Sequence, residues 1–552
     1  MSSYVTLPGS QKNLLPDSRP AGPVDPSTIA SVTVRIRSAG VPDDLVQKAY
    51  ELATTRLESR NYLTHEELAN QYGATKEDLD KIEDFAQQHD LTVVHRSAAE
   101  RTIVLNGKLG DLLGAFHADV QMYHHAAGTY RGRRGEISLP QELSDIVTGV
   151  FGLDTRPKHR APYRQKSPTQ SGPGNGNGVA ATEFAKRYNF PQQFDGTGQT
   201  IAIIELGGGF RRSDLKAFFN EIGVPMPQVS SVSVDHAGNH PSTPGSADGE
   251  VMLDIEVAGA VAPKAKYVVY FAPNIGDQGF LDAISAAIHD TERKPDVISI
   301  SWGGPEVSTD RQGLDAYHEL FAAAASLGIT VCAASGDHGT ADLDAQHWDS
   351  KIHVDHPSSD DLVLGCGGTQ ITDGKDVVWN DKTPFDVNVR GGGGWASGGG
   401  VSAAFPVPSY QTKAQIKPVS IDTGNTGRGV PDIAMNATNY FTRVDTAELP
   451  SGGTSAVAPL TAALIAQLNQ GTGKNVGFLN PFLYENASSI FNDVTLGTNA
   501  IKNTVKGYEA VPGWDACTGL GTPDGTAILN RLGGRVVGIT ADDEGEQDAR
   551  RG

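Results

Sequence analysis

From about Gln199 onward, apolar runs of strand length alternate with segments of helical spacing. "QTIAIIEL" (199–206), "KAKYVVYFAP" (264–273), "DVISISW" (296–302) and "ITVCAASGD" (329–337) read as strands, the first nearly continuous in apolar residues. Between them "RSDLKAFFNEIG", "DGEVMLDIEVAGAVAP" (248–263), "GFLDAISAAIHD" and "GLDAYHELFAAAASLG" carry helical spacing. Buried strands separated by helices predict an α/β fold, a doubly wound parallel sheet with helices on both faces. Sites in such sheets sit at the carboxyl ends of the strands. Three of these ends present Glu205, Trp302 and Asp337.

The pattern upstream is different. "SVTVRIR" alternates like a strand, "DDLVQKAYELATTRLESR" is helical, "LTVVHRSAAERTIVLNG" reads as a hairpin and "KLGDLLGAFH" as a short helix. Residues 31–155 are therefore expected to form a separate α+β unit. Residues 1–30, rich in Pro and Ser, read as a disordered arm. Residues 156–178 turn from basic to Gly-, Ser-, Pro- and Asn-rich, the composition of an exposed, cleavable linker. The large domain then spans 179–535, and 536–552 reads as a disordered tail. "RGGGGWASGGG" (390–400) follows no strand and has no Lys, so it reads as a surface loop and not as a phosphate cradle.

Charge sharpens the division. Residues 1–171 carry 20 Lys and Arg against 21 Asp and Glu, whereas the remainder carries 25 against 44. So acidic a body argues against nucleic acid as a partner, which requires basic patches. It also predicts acid tolerance, because few cations remain to repel one another once the carboxylates are protonated. No apolar run reaches the roughly 18 residues of a membrane helix, so no membrane is expected. The first residues carry no readable export signal. The three cysteines, Cys332, Cys366 and Cys517, allow at most one bridge and form no CxxC metal motif.

The chemistry centres on "SGGTSAVAPL" (451–460), which runs into the helical "TAALIAQLNQ". A serine at a helix start, in a Gly-Thr-Ser context, is how subtilisin-like hydrolases present a nucleophile. Ser455 then needs a base. His338 in "GDHGT" is one option, but a polar, irregular segment follows it where a long apolar helix would be expected, so His338, His353 and His356 read as solvated loop residues. Glu250 and Asp254 are the other option. They lie four apart on a largely apolar helix and so share one face. A buried carboxylate needs a partner, and two carboxyls in contact share a proton because neighbouring like charges resist ionising together. Such a pair can accept the Ser455 proton and return it to a leaving amine. A protonated Asp337, with the Ser455 N–H, can stabilise a tetrahedral oxyanion.

Together "IAIIELGGG", "DGEVMLDIEVAGAVAP", "VISISWGGPE", "GGTSAVAPL", "GRGVPDIA" and "GWDACTGLG" resemble the sedolisins, the serine-carboxyl peptidases, and within them the kumamolisin-like group, from about 31 to 535. The resemblance implies a subtilisin-like peptidase domain behind a ferredoxin-like α+β prodomain ending at "GLDTRP". It implies Ser455 as nucleophile, Glu250 as acid and base, Asp254 as its support, Asp337 as oxyanion acid, and Glu205 and Trp302 as extensions of the network. It further implies one structural Ca²⁺ on Asp493, Val494, Val511, Gly513 and Asp515, where hard oxygen ligands suit the ion, and a substrate-pocket role for Asp355. The expected protein is a secreted, monomeric, acid-active endopeptidase acting on proteins and peptides. Its own prodomain would inhibit it until acid neutralises interface carboxylates and the enzyme cuts its linker. Competing readings are a neutral subtilisin-like protease using His338 and an inactive protease-like binding protein.

Overall fold

The structure, a computed structural model, describes residues 3–15, 17–125, 128–156, 158–161, 164–165, 178–243, 246–342, 351–384 and 394–534. The tail expected at 536–552 lies outside these residues. Thr200–Glu205, buried along its whole length, lies inside an eight-stranded sheet. The order runs Gln228–Ser233, Lys266–Phe271, Thr200–Glu205, Val297–Ile300, Thr330–Ala334, Leu364–Thr372. Ile433–Asn436 joins the last of these in parallel and Lys375–Val378 joins it antiparallel. All other pairings are parallel, in keeping with the near-continuous apolar runs. Helices Asp248–Val261 and Val457–Thr472 pack against each other and the sheet, and Gln278–Ile288 and Arg311–Leu327 form a second helix pair.

Every residue of Asp248–Val261 is buried. The helix is enclosed by Val457–Thr472, by the strand Tyr440–Val444 and by the sheet. This explains a sequence that is apolar all round. It also means that any carboxyl on the helix is withdrawn from water.

The upstream unit has its own core and its own antiparallel sheet, in the order Thr92–Ser97, Thr102–Lys108, Ile29–Ile36, Val147–Phe151. With helices after the first and third of these strands in chain order, this is the expected ferredoxin-like arrangement. Its helix Pro42–Thr54 contributes Leu45, Ala49 and Ala53 to the core of the large domain, so the two units are packed as one body.

The first 30 residues do not form a free arm. Tyr4–Thr6 pairs with Ser138–Pro140, and Arg19–Pro23 pairs with Asp119–His125. The sequence pattern missed this because the strand partners lie more than a hundred residues downstream and the segments are short. The arm also delivers Lys12, buried, to Asp277 at 3.1 Å. Lys158 reaches the same carboxylate at 2.5 Å, and Arg133 reaches Asp310 at 3.2 Å. Asp277 and Asp310 immediately precede the helices Gln278–Ile288 and Arg311–Leu327. The two lysines hold Asp277 far below the usual carboxylate range despite its burial. All three cysteines are buried and free. Among the described residues no helix is long and apolar enough to cross a membrane.

Asp277→Ala leaves the buried Lys158 ammonium without its carboxylate and Lys12 with only Asp310, 3.7 Å away. It is expected to destabilise the docked prodomain by about 3–5 kcal/mol, the usual cost of breaking a buried pair, read as a lowered urea midpoint of the full chain.

Candidate active site

Ser455 sits in a single 3-10 turn, Thr454–Ala456, that opens the helix Val457–Thr472. Gly453 precedes it with φ 118°, a conformation that suits glycine and turns the Thr454 N–H onto Asp337 Oδ1 at 2.7 Å. The Thr454 hydroxyl donates to the same oxygen at 2.9 Å. Asp337, at the end of the strand Thr330–Ala334, is thereby fixed beside the serine. The Ser455 hydroxyl donates to the Ser301 carbonyl at 3.4 Å.

The carboxyls predicted on one helix face converge here. Glu250 and Asp254 are both fully buried. Burial, then Asp254, then Glu205 hold Glu250 well above the usual carboxylate range. The Ser455 hydroxyl opposes that shift, yet neither Glu250 oxygen completes a hydrogen bond of standard geometry. The serine is close enough to be felt electrostatically but is aimed at Ser301. Burial likewise pushes Asp254 well up, opposed by the Ser301 hydroxyl, which donates to Asp254 Oδ1 at 2.9 Å. Trp302 Nε1 donates to Glu205 Oε2 at 2.9 Å. Glu205 too is held well above its ordinary value, by burial and by Asp254. No cation is among the causes for any of the three. The three carboxyls, Ser455 and Asp337 are therefore one cluster, as the sequence suggested. His338 follows Asp337, its backbone bridges to Ala396 and its ring lies 4.8 Å from Trp395, while His353 and His356, expected to be solvated, are both buried.

The sequence reading missed Ser301, which hydrogen-bonds Asp254 and also the Ser455 carbonyl at 3.2 Å. Its only signal was its position beside Trp302 at a strand end. The glycine-rich stretch was misread as well. Its described part is packed against the site, with Ala396 N donating to Asp337 O at 2.9 Å and Gly398 N to Gly336 O at 2.7 Å. A Cβ at Gly398 would lie 1.8 Å from the Ser335 carbonyl oxygen, so glycine is needed there for close approach.

Comparison with known proteins decides the family. The chain is 42% identical to kumamolisin from Bacillus sp. (strain MN-32), over 95% of this chain and 96% of that protein. The chain belongs to the sedolisins. Residues 16–156 match the family model "Pro-kumamolisin, activation domain", and residues 234–488 match the "Subtilase family". The tripeptidyl-peptidase sed5 of Aspergillus fumigatus is 28% identical over 95% of the chain and 97% of its own length. The solved structure of Pseudomonas sedolisin, a serine-carboxyl proteinase complexed with pseudo-iodotyrostatin, superposes with a TM-score of 0.56 at 26% identity. It covers 65% of this chain and 99% of that one. This sedolisin is a serine-type peptidase of subtilisin-like fold with an activation domain in front of it.

In this sedolisin the segment that follows the activation domain runs beside Ser455. Arg160 pairs with Gly303 (N–H···O 2.8 and 3.0 Å), the residue after Trp302. Arg164 and Gln165 pair antiparallel with Gly452 and Ser451, three and four residues before Ser455. Most of the stretch expected to carry the activation cut, 166–177, lies outside the described residues. Asp355 is buried directly behind Gly303, where a Cβ would lie 2.2 Å from its Oδ1. Burial and Asp342 push its carboxyl well up, and Arg160 opposes them.

The expected metal ligands also come together. Asp493 Oδ2 accepts from Gly513 N at 2.9 Å, and Asp515 Oδ2 from Val511 N at 3.1 Å. Val494 is buried next to Asp493. Burial pushes Asp515 up to about 6. The two carboxylates are thereby tied to the 511–515 segment, and carboxylate oxygens are the donors that a hard cation takes.

Ser301→Ala removes a donor that stabilises the Asp254 carboxylate. Loss of one such bond, worth about 1 kcal/mol, is expected to lower kcat/KM about fivefold. It should also shift the falling limb of the pH–rate profile to higher pH, since the carboxyl cluster then holds its proton more tightly.

Proposed function

We propose that the chain is the precursor of an acid-active endopeptidase that processes itself and hydrolyses peptide bonds through an acyl-enzyme on Ser455. The observation that carries this reading is the contact of Ser455 with a cluster of buried carboxyls and no cation. Carboxyls whose pKa is raised by burial and like charge hold a shared proton and still offer a basic oxygen. Ser455 Oγ attacks the substrate carbonyl as Glu250 takes its proton. Asp254, held by Ser301, keeps Glu250 in place, and Glu205 with Trp302 extends the network. Protonated Asp337 and the Ser455 N–H donate to the oxyanion. Glu250 then hands the proton to the leaving amine, and water resolves the ester by the same steps in reverse. Raised pKa values fix the sign of the pH dependence. The competent state retains the shared proton of the carboxyl cluster in acid and loses it as pH rises.

The linker crosses the nucleophile with pairing on both sides, at Gly303 and at Ser451–Gly452. A cleft that accepts chain on both sides of Ser455 suits an endopeptidase on proteins and peptides. It also suits the docked prodomain as an intramolecular inhibitor. Asp355, behind Gly303, borders the acyl side of that cleft and serves the substrate pocket. We place the mature enzyme outside the cell as a monomer, because acid chemistry of this kind is out of place in neutral cytoplasm.

The test is the rate of peptide cleavage from about pH 2 to 9 after acid incubation of wild type, Ser455→Ala and Glu250→Gln. Wild type should peak in acid and be inactive by neutrality. Both variants should lose more than a hundredfold in kcat, in the range of removing a nucleophile or general base, and Ser455→Ala should remain full length. Activity that rises to a neutral plateau and disappears in His338→Ala would sink the carboxyl mechanism.

The residues around Asp493 and Asp515 fit one structural Ca²⁺, which Asp493, Asp515 and the carbonyls of Val494, Val511 and Gly513 would hold. When bound, the ion supplies only cross-linking of two loops. Chelation should lower the thermal midpoint by several degrees, on the order expected for losing a bound ion. Asp515→Asn should have the same lowered midpoint and no longer respond to chelator; an unchanged midpoint on chelation removes the ion from the account.

A further inference from the structure

His159 lies in the linker one residue before the Arg160–Gly303 pairing, and His356, expected from the sequence to be solvated, lies beside Asp355. Both are buried, at 2% and 1% exposure. All four of their ring nitrogens lack a hydrogen-bond partner. They sit in an aromatic seat: His159 lies 4.4 Å from the Phe280 ring, His356 lies 4.9 Å from Tyr317, and Phe405 stacks beyond at 6.3 Å. Leaving buried donors and acceptors unpaired is costly, so the arrangement calls for a reason.

The charges facing the pair are Lys158, Lys12, Asp277, Asp360 and His318. The acidic groups among them are already matched. Asp277 is held by Lys158 and Lys12, with the nearest approach of His159 Nε2 only 3.8 Å. Asp360 accepts from His318 Nδ1 at 2.9 Å, and its carboxylate holds His318 protonated, with a pKa up to about 9. An imidazolium formed at His159 or His356 would meet two lysine ammonium groups and a second imidazole, and would share Asp277 and Asp360 with the cations that already engage them.

We propose that His159 and His356 form an acid-operated latch, in which proton uptake drives the rings from their seat and frees the linker beside Gly303 to be taken up by the cleft as substrate. This rests on the reading of the chain as a self-processing precursor. Two lysines favour the ionised form of Asp277, so that clasp resists acid, and protonation of the orphaned imidazoles supplies the trigger. The direction follows from burial. Docking lowers both histidines, His356 to about 4 and His159 further below its ordinary value. The open state therefore binds more protons, and docking weakens as pH falls below about 6.5, by up to about tenfold per pH unit for each group. Above that range both rings are neutral in either state and the latch stays shut. The His159 carbonyl accepts from Asn274 Nδ2 at 2.7 Å, so loss of the ring from its seat pulls at the backbone that pairs with Gly303.

The experiment measures the self-processing half-time of the full chain between pH 3 and 7 for wild type, His159→Phe and His356→Phe. Phenylalanine fills an aromatic seat but takes up no proton. The pH of half-maximal processing should fall by about one unit or more in each variant, from the loss of one linked proton. An unmoved midpoint in both overturns the latch. In parallel, full-length Ser455→Ala with labelled histidine is titrated by NMR, with signals assigned by their loss in the two variants. Both rings should gain their protons well below 6. Titration of both near 6.5 overturns the proposal. A wild-type chain that never processes itself refutes the precursor reading instead, and the imidazole titration then decides the latch alone.

Discussion

The structure turns on one unfavourable act, the withdrawal of Glu250, Asp254 and Glu205 from water with no cation to meet them. The ionised form of a buried carboxylate is expensive, and three in contact cannot all ionise. The affordable state keeps protons in the cluster. The rest of the site is arranged around that state. Asp248–Val261 must be enclosed on every side, which requires the sheet, the serine helix and the strand Tyr440–Val444 to close on it. Trp302 and Ser301 each contribute one neutral donor, enough to orient a carboxyl but too little to make it a stable anion.

The same chain shows the opposite solution 20 residues further on. Asp277 is equally buried, yet two lysines and the adjacent helix start hold it ionised. One aspartate is kept charged and another is kept from charging, and the main difference is whether ammonium groups are supplied. Those groups come from the prodomain side, Lys12 and Lys158. Docking is thus electrostatically complete at Asp277 and Asp310, while the catalytic cluster takes no ionic support from the prodomain and can work once it has gone.

Most of the large domain was legible because each element follows a simple period. Buried parallel strands read as apolar runs, and the helices between them recur at 3.6. The buried carboxyls Glu250 and Asp254 were legible for a related reason: charged residues interrupting an apolar helix are conspicuous, and their spacing of four places them on one face. What was not legible depended on distant partners. Tyr4–Thr6 and Arg19–Pro23 become strands only because Ser138–Pro140 and Asp119–His125 offer edges. Ser301 and Thr454 gain their roles from side chains 47 and 117 residues away. The Gly-rich stretch has no period at all, so its packing against Ser335–Asp337 could be seen only in three dimensions.

Ser455 itself is fully buried here, and its hydroxyl makes a long bond to a main-chain carbonyl instead of to its base. That is the geometry of an enzyme at rest. With the linker paired to Gly303 and Gly452, the backbone edges of the cleft are occupied. A bound substrate would compete for the same edges, so substrate and linker are alternatives for one set of backbone partners. Inhibition therefore requires no distortion of the catalytic cluster. The precursor can carry its carboxyls, its serine and Asp337 already assembled, because occupancy of the edges alone decides whether they meet a bond to cut.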